Sequence, residues 1–265
     1  MFGQVTMKTI AVCNQKGGVG KTTVTLNLSA GLAMVGQKVL MIDLDPQASL
    51  TLSTIGESSG QCIAEVIGSS LPGKLSILQI IHPLQENFHL APGGLSLSIS
   101  EIGLVTRLGR ENILKKVLST IDHHYDVAII DCGPSMGLLV ENALNAANAV
   151  IIPTLPTPID KKGVSILLES LQAVRNELNP DLEILGLVIS QYDQRLKLHQ
   201  QMLDEFRMMD LPLLAIIGRS VEVARTIGEG KPLTSGRLLP QMHELTSKVD
   251  FWIKHGKLPD SFLSG

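Results

Sequence analysis

Apolar positions along the chain follow two rhythms. Residues 9–13, 38–43, 87–92, 125–131, 149–153, 183–190 and 213–217 are short, nearly unbroken apolar runs, as expected of strands buried on both faces of a parallel sheet. Between them, segments 24–36, 112–122, 138–148, 161–178 and 244–254 carry apolar residues at helical spacing, for example Ile113, Leu114, Val117, Leu118 and Ile121. The regular alternation predicts an α/β fold: a mostly parallel, doubly wound sheet with helices on both faces. A single domain over residues 1–265 is expected, with frayed ends at 1–7 and 257–265; Met7 is an alternative start. Residues 50–84 have the weakest periodicity. Within them 53–60 reads as an exposed loop, 63–67 as a short helix and 71–73 as a turn.

The first run is followed by Asn14-Gln15-Lys16-Gly17-Gly18-Val19-Gly20-Lys21-Thr22-Thr23 and then by a helical pattern. Strand, glycine-rich turn and helix give the context in which a phosphate-binding loop is credible. The glycines allow close backbone approach, successive N–H groups line a concavity, and the helix N-terminus adds partial positive charge. Lys21 can reach the terminal phosphates of a nucleotide, and the Thr22 hydroxyl can ligate Mg²⁺. Val19 and Thr23 complete the loop. Lys16 adds a second lysine to an ordinarily glycine-rich turn.

Three strand ends carry the remaining candidates, since ligands of open α/β sheets bind beyond the carboxyl ends of the strands. The second run closes in Asp43-Leu44-Asp45-Pro46-Gln47, and the run at 125–131 ends in Asp131, the Walker B arrangement for holding Mg²⁺. Gln191-Tyr192-Asp193-Gln194-Arg195 follows a later strand, at the edge where a base is commonly read. Gly218-Arg219-Ser220 follows the last one.

Together these motifs resemble the deviant P-loop ATPases, and Asp43-x-Asp45-Pro-Gln resembles the ParA/Soj partition branch. The resemblance covers nearly the whole chain and implies an ATP- and Mg²⁺-dependent ATPase. It implies catalytic roles for Lys16, Lys21 and Asp45: Lys16 reaches across a nucleotide-sandwich dimer to the partner subunit's phosphates, and Asp45 orients the attacking water. Asp43, Thr22 and Asp131 form the metal shell, Gln191 and Arg219 border the base, and the loop 16–23 binds phosphate. It further implies an ATP-dependent homodimer, non-specific double-stranded DNA, a ParB-like activator and a nucleoid-associated ATP state. Gly133 stands where relatives have a second proline, and Asp160, Lys161 and Lys162 depart from the family pattern.

Composition narrows the picture. The chain has 265 residues, 44% hydrophobic and 18% charged, with net charge −3, so a large core is available but no global basic field points to nucleic acid. From Gln191 onward ten Lys and Arg face nine Asp and Glu. Any DNA contact therefore falls to local cations, with Arg195, Arg219, Arg225 and Lys231 as the candidates beside Lys197, Arg207 and Arg237. Cys13, Cys62 and Cys132 suggest neither a disulfide framework nor the cluster ligands of nitrogenase iron proteins. His82 and His89 lack the pattern of a metal pair. Neither a signal peptide nor a membrane-spanning run is apparent, so a cytoplasmic location is expected. Three alternatives stay open: a MinD-like ATPase positioning cargo at a membrane, a ParA-like ATPase positioning a protein cluster, and a small-molecule ligase or kinase. The break at Gly256 and Pro259 weighs against a terminal membrane helix.

Overall fold

Every residue of β2 (Val39–Leu44), β5 (Val127–Cys132) and β6 (Ala149–Thr154) is buried, which is why these strands read as continuous apolar runs. In the computed structural model, which describes residues 6–56, 60–68, 75–222, 225 and 231–259, they lie at the centre of an eight-stranded sheet. The remaining strands are β1 (Lys8–Val12), β3 (His82–Gln85), β4 (Phe88–Ala91), β7 (Glu183–Tyr192) and β8 (Leu213–Gly218), and the order is β3-β4-β2-β5-β1-β6-β7-β8. All pairings are parallel except β3 with β4.

Alternate residues of each strand feed two separate cores. Ala11, Leu40, Ile42, Ala128, Ile130, Val150 and Ile152 face the side covered by α3 (Ile63–Gly68), α4 (Ser96–Leu104), α5 (Ile113–Ser119), α6 (Leu138–Ala146), α7 (Pro158–Glu177) and α8 (Lys197–Arg207). Ile10, Val12, Met41, Ile129 and Ile151 face α1 (Lys21–Met34) and α9 (Leu239–His255). Helices α1 and α9 meet at Gly31, where a Cβ would lie 2.2 Å from Thr246 Oγ1. Thr246 is held there by its own hydrogen bond to the Met242 carbonyl (2.9 Å). Gly31→Ala should therefore destabilise by about 2 kcal/mol through overpacking, visible as a lowered melting temperature; an unchanged Tm would contradict this contact.

Several expected boundaries move. The stretch 53–60 is not wholly loop: α2 (Ser49–Ile55) runs into it, because the Ser53 and Thr54 hydroxyls donate back to the Leu50 carbonyl (2.9 and 2.7 Å) instead of competing with the helix from outside. Helix α7 begins at Pro158, three residues earlier than its apolar spacing suggests, with Thr157 as N-cap and proline in the first helical position. β3, α4 and α8 were not anticipated. The turn at 71–73, most of the segment 221–230 and the end from 260 lie outside the described residues.

Candidate nucleotide site

The chain leaves β1 and reaches α1 through the lysine- and glycine-rich turn. Gly18 (φ 74°) and Gly20 (φ 95°) take left-handed backbone, which a side chain would strain. Gly20 is also crowded: a Cβ there would sit 3.1 Å from Ser190 Oγ. The turn is tied down on three sides. Asn14 Nδ2 donates to the Pro153 carbonyl (2.7 Å) and its Oδ1 accepts from the Lys16 amide (3.0 Å). Gln191, itself in left-handed backbone (φ 56°), donates through Nε2 to the Gly18 carbonyl (3.1 Å). The first-turn amides of α1, which have no acceptors within the helix, thus open onto a cavity of about 800 Å³.

This cavity brings together most of the expected residues. Gly17, Gly18, Gly20, Lys21, Thr22, Thr23, Asp45, Gln191 and Arg219 all line it, with Ser190 and Pro134 beside them. Val19 is fully buried, so its side chain anchors the loop from below. Both lysines are engaged within the chain: Lys21 Nζ donates to the Lys16 carbonyl (3.0 Å), and Lys16 Nζ pairs with Asp160 Oδ2 (2.8 Å).

Asp43 and Asp131 are register partners on β2 and β5, and both are fully enclosed. Asp43 Oδ2 accepts from the amide and hydroxyl of Thr51 (2.8 and 2.7 Å), and its Oδ1 accepts from the Asp45 amide (3.2 Å). Asp131 Oδ1 accepts from the Thr25 hydroxyl (3.4 Å) while its Oδ2 is buried with no partner among the described residues. Burial and the neighbouring Asp43 carboxylate push Asp131 up to about 8, opposed by the Thr22 hydroxyl and the Lys21 ammonium. Burial likewise pushes Asp43 up to about 6, against its hydrogen bonds from Thr51 and Asp45. An orphaned carboxylate oxygen beside a hydroxyl is a donor set that suits Mg²⁺, and Thr22 with Asp131 would hold the ion. Asp43, the third expected member of the metal shell, accepts hydrogen bonds on both oxygens from Thr51 and Asp45, which ties the loop after β2 to its strand.

These shifts carry a sign. A folded state that keeps protons the unfolded chain has lost becomes less stable as pH rises, here from about 4 up to about 8. A divalent cation needs these groups deprotonated, so its affinity rises with pH. The gain in melting temperature from Mg²⁺ and nucleotide should accordingly widen between pH 6 and pH 8; a gain independent of pH would contradict the assignment.

Asp45 reaches the cavity directly, its Oδ1 accepting from the Gln47 amide (2.9 Å). Gly133 lies against it: a Cβ there would be 3.4 Å from Asp45 Oδ1. The residues at the strand ends divide between the cavity and a second cleft of about 740 Å³ that shares Gly218 and Arg219 with it and adds Tyr192, Arg195 and Arg237. Arg195 is bound by Asp193 through Nε (2.9 Å) and Nη2 (2.7 Å), which holds Asp193 well below the usual carboxylate range. Arg225 and Lys231 line a different, smaller pocket with Glu222. The four expected DNA cations thus divide between two pockets. Sequence reasoning missed Thr25, Thr51 and Ser190, hydroxyls on other elements that carry no local motif.

A fold with the phosphate loop on β1–α1, acidic residues at the ends of β2 and β5 and a cavity over the helix N-terminus defines a P-loop nucleotide-binding protein. Residues 7–184 match the family model described as AAA domain. The chain is 37% identical over 231 residues to the sporulation initiation inhibitor protein Soj of Bacillus subtilis (strain 168), covering 85% of this chain and 90% of that one. It is 36% identical to the chromosome-partitioning ATPase Soj of Treponema pallidum (strain Nichols), covering 86% and 89%. A solved structure of cobyrinic acid a,c-diamide synthase from Mycobacterium smegmatis, with bound ATP analog and magnesium, superposes with a TM-score of 0.82 at 32% identity, covering 96% and 98%. The chain belongs to the Soj/ParA family of P-loop partition ATPases.

Proposed function

We propose that this chain is an ATP-switched dimer that binds DNA without sequence preference and positions DNA or an attached cargo with a ParB-like activator. One observation carries the reading: a single loop bears two lysines, Lys21 lining a nucleotide-sized cavity and Lys16 partly exposed beyond it. Lys21 leads into helix α1 and serves the phosphates of its own chain. Lys16 stands at the opposite end of the loop with 43% of its side chain exposed, suited to a neighbour's phosphates. A cation supplied across the interface stabilises charge that develops in phosphoryl transfer, as an arginine finger does. Thr22 and Asp131 would hold Mg²⁺, which would supply charge neutralisation there. Asp45 orients the attacking water, and Gln191 with Arg219 borders the base.

DNA contact follows from Arg219, Arg237 and Lys231, all exposed, with the Asp193-bound Arg195 contributing less. Such binding is electrostatic, so it weakens steeply with salt. A dimer doubles the number of phosphate contacts, which ties DNA affinity and the nucleoid-associated state to ATP. No helix among the described residues is long and apolar enough to cross a membrane. A second reading, an ATP-dependent ligase acting on a carboxylate, draws on the likeness to the synthase and on the arginine-lined cleft beside the nucleotide cavity.

Sedimentation separates these readings. With a non-hydrolysable ATP analogue the chain should pellet with DNA, release with ADP or added salt, and ignore liposomes. Pelleting with anionic liposomes instead of DNA would move the reading to the membrane class. ATP turnover stimulated by a small carboxylate and not by DNA with a partner would favour the ligase.

A further inference from the structure

Asp160 lies outside the cavity, yet it holds the site's most distinctive side chain. It is the third residue of α7, and its amide donates to the capping hydroxyl of Thr157 (3.2 Å). Its Oδ2 accepts from that same hydroxyl and from the Lys16 ammonium at 2.8 Å. The Asp160 side chain is wholly enclosed, and Oδ1 has no partner among the described residues. A carboxylate so enclosed is costly to keep charged without a compensating cation, and Lys16 is the cation it faces. Lys16 cannot hold this 2.8 Å pair and at the same time reach a neighbouring subunit. Lys21 reinforces the arrangement, since its ammonium rests on the Lys16 carbonyl at 3.0 Å.

We propose that the Lys16–Asp160 pair is an intramolecular latch, with Asp160 a positioning residue that keeps Lys16 on its own chain until a triphosphate competes for it. The inference rests on the reading in which Lys16 acts across a dimer. Phosphates that draw Lys21 off the Lys16 carbonyl loosen one end of the latch. The triphosphate of a second copy then offers Lys16 more negative charge than a single carboxylate does, whereas a diphosphate offers less. A chain whose competent form is only fractionally populated shows an apparent affinity reduced by that fraction, so the latch sets the ATP concentration at which dimers form. The half-exposed lysine keeps the contact within reach of a competing anion.

Asp160→Asn keeps the size of the side chain and its hydrogen bond to Thr157 while removing the charge. It should dimerise at roughly tenfold lower concentration of a non-hydrolysable ATP analogue, measured by light scattering on the full chain. Turnover without a stimulating partner should rise, and ADP affinity should stay at the parent value. In a Lys16→Ala background the same substitution should change nothing, because the effect runs through Lys16. Thr157→Ala, which removes the helix cap but leaves the charge, should lower the melting temperature without lowering the nucleotide threshold. Should the amide variant fail to fold, Asp160→Ser carries the same expectation. An unchanged or raised threshold in a folded Asp160 variant would overturn the latch. If instead Lys16→Ala alone dimerises with the analogue as the parent does, the cross-subunit role itself fails, a result distinguishable from failure of the latch.

Discussion

Replacing Lys16 with alanine is expected to lower ATP turnover by about a thousandfold, at the lower end of what a charge supplied across an interface contributes to phosphoryl transfer. ADP binding should persist, because the loop amides and Lys21 remain in place around the cavity. ATP-driven dimerisation should be lost, since the cation that joins one chain to the other's phosphates is gone. The combination is diagnostic. A variant that merely damaged the loop would lose ADP as well, and a variant of a bystander lysine would lose nothing. Isothermal titration with ADP, light scattering with the ATP analogue and steady-state turnover together check it; retained dimerisation would reject the role.

The second large effect belongs to Asp45. It lines the cavity at the end of β2, oriented by its bond from the Gln47 amide and by the contact surface of Gly133. A carboxylate that positions the attacking water typically contributes a factor of ~10²–10⁴, so Asp45→Ala should slow hydrolysis by about that amount. Binding should survive, because the substitution touches neither the phosphate loop nor Asp131. The expected result is a trapped ATP dimer that stays on DNA when the parent has let go. Turnover at the parent rate would remove Asp45 from this position.

Much of this site was legible because its chemistry is local. The loop 16–23, Asp43 and Asp45, and Asp131 each lie in the last residues of a buried strand or just after it, and such a strand is written as an apolar run. Topology then brings the ends of those strands together without further signal. What escaped is what local patterns do not encode. Thr51 fixes Asp43 from helix α2, which the Ser- and Thr-rich stretch disguises as loop. Helix α4 is masked by the alternation in Ser96-Leu97-Ser98-Ile99-Ser100, which mimics a strand, and it buries little beyond Leu97 and Leu104. Helix α8 rests on Met202, Leu203 and Phe206 alone, too few to stand out among its polar neighbours. Asp160 pairs with a lysine 144 positions away, and no periodicity anticipates that contact.

The DNA candidates, grouped by sequence, divide between two pockets in the structure. Arg195 and Arg219 share a cleft, whereas Arg225 and Lys231 share another pocket with Glu222. Charge counting along the chain could not have distinguished them, because the binding surface depends on which strand ends and helices stand side by side.

A crystal structure with a non-hydrolysable ATP analogue and Mg²⁺ tests the central claim most directly. Two copies should enclose two nucleotides, with each Lys21 on its own phosphates, each Lys16 on the other's, and Asp160 released. A single chain with nucleotide bound and Lys16 still seated on Asp160 would contradict it.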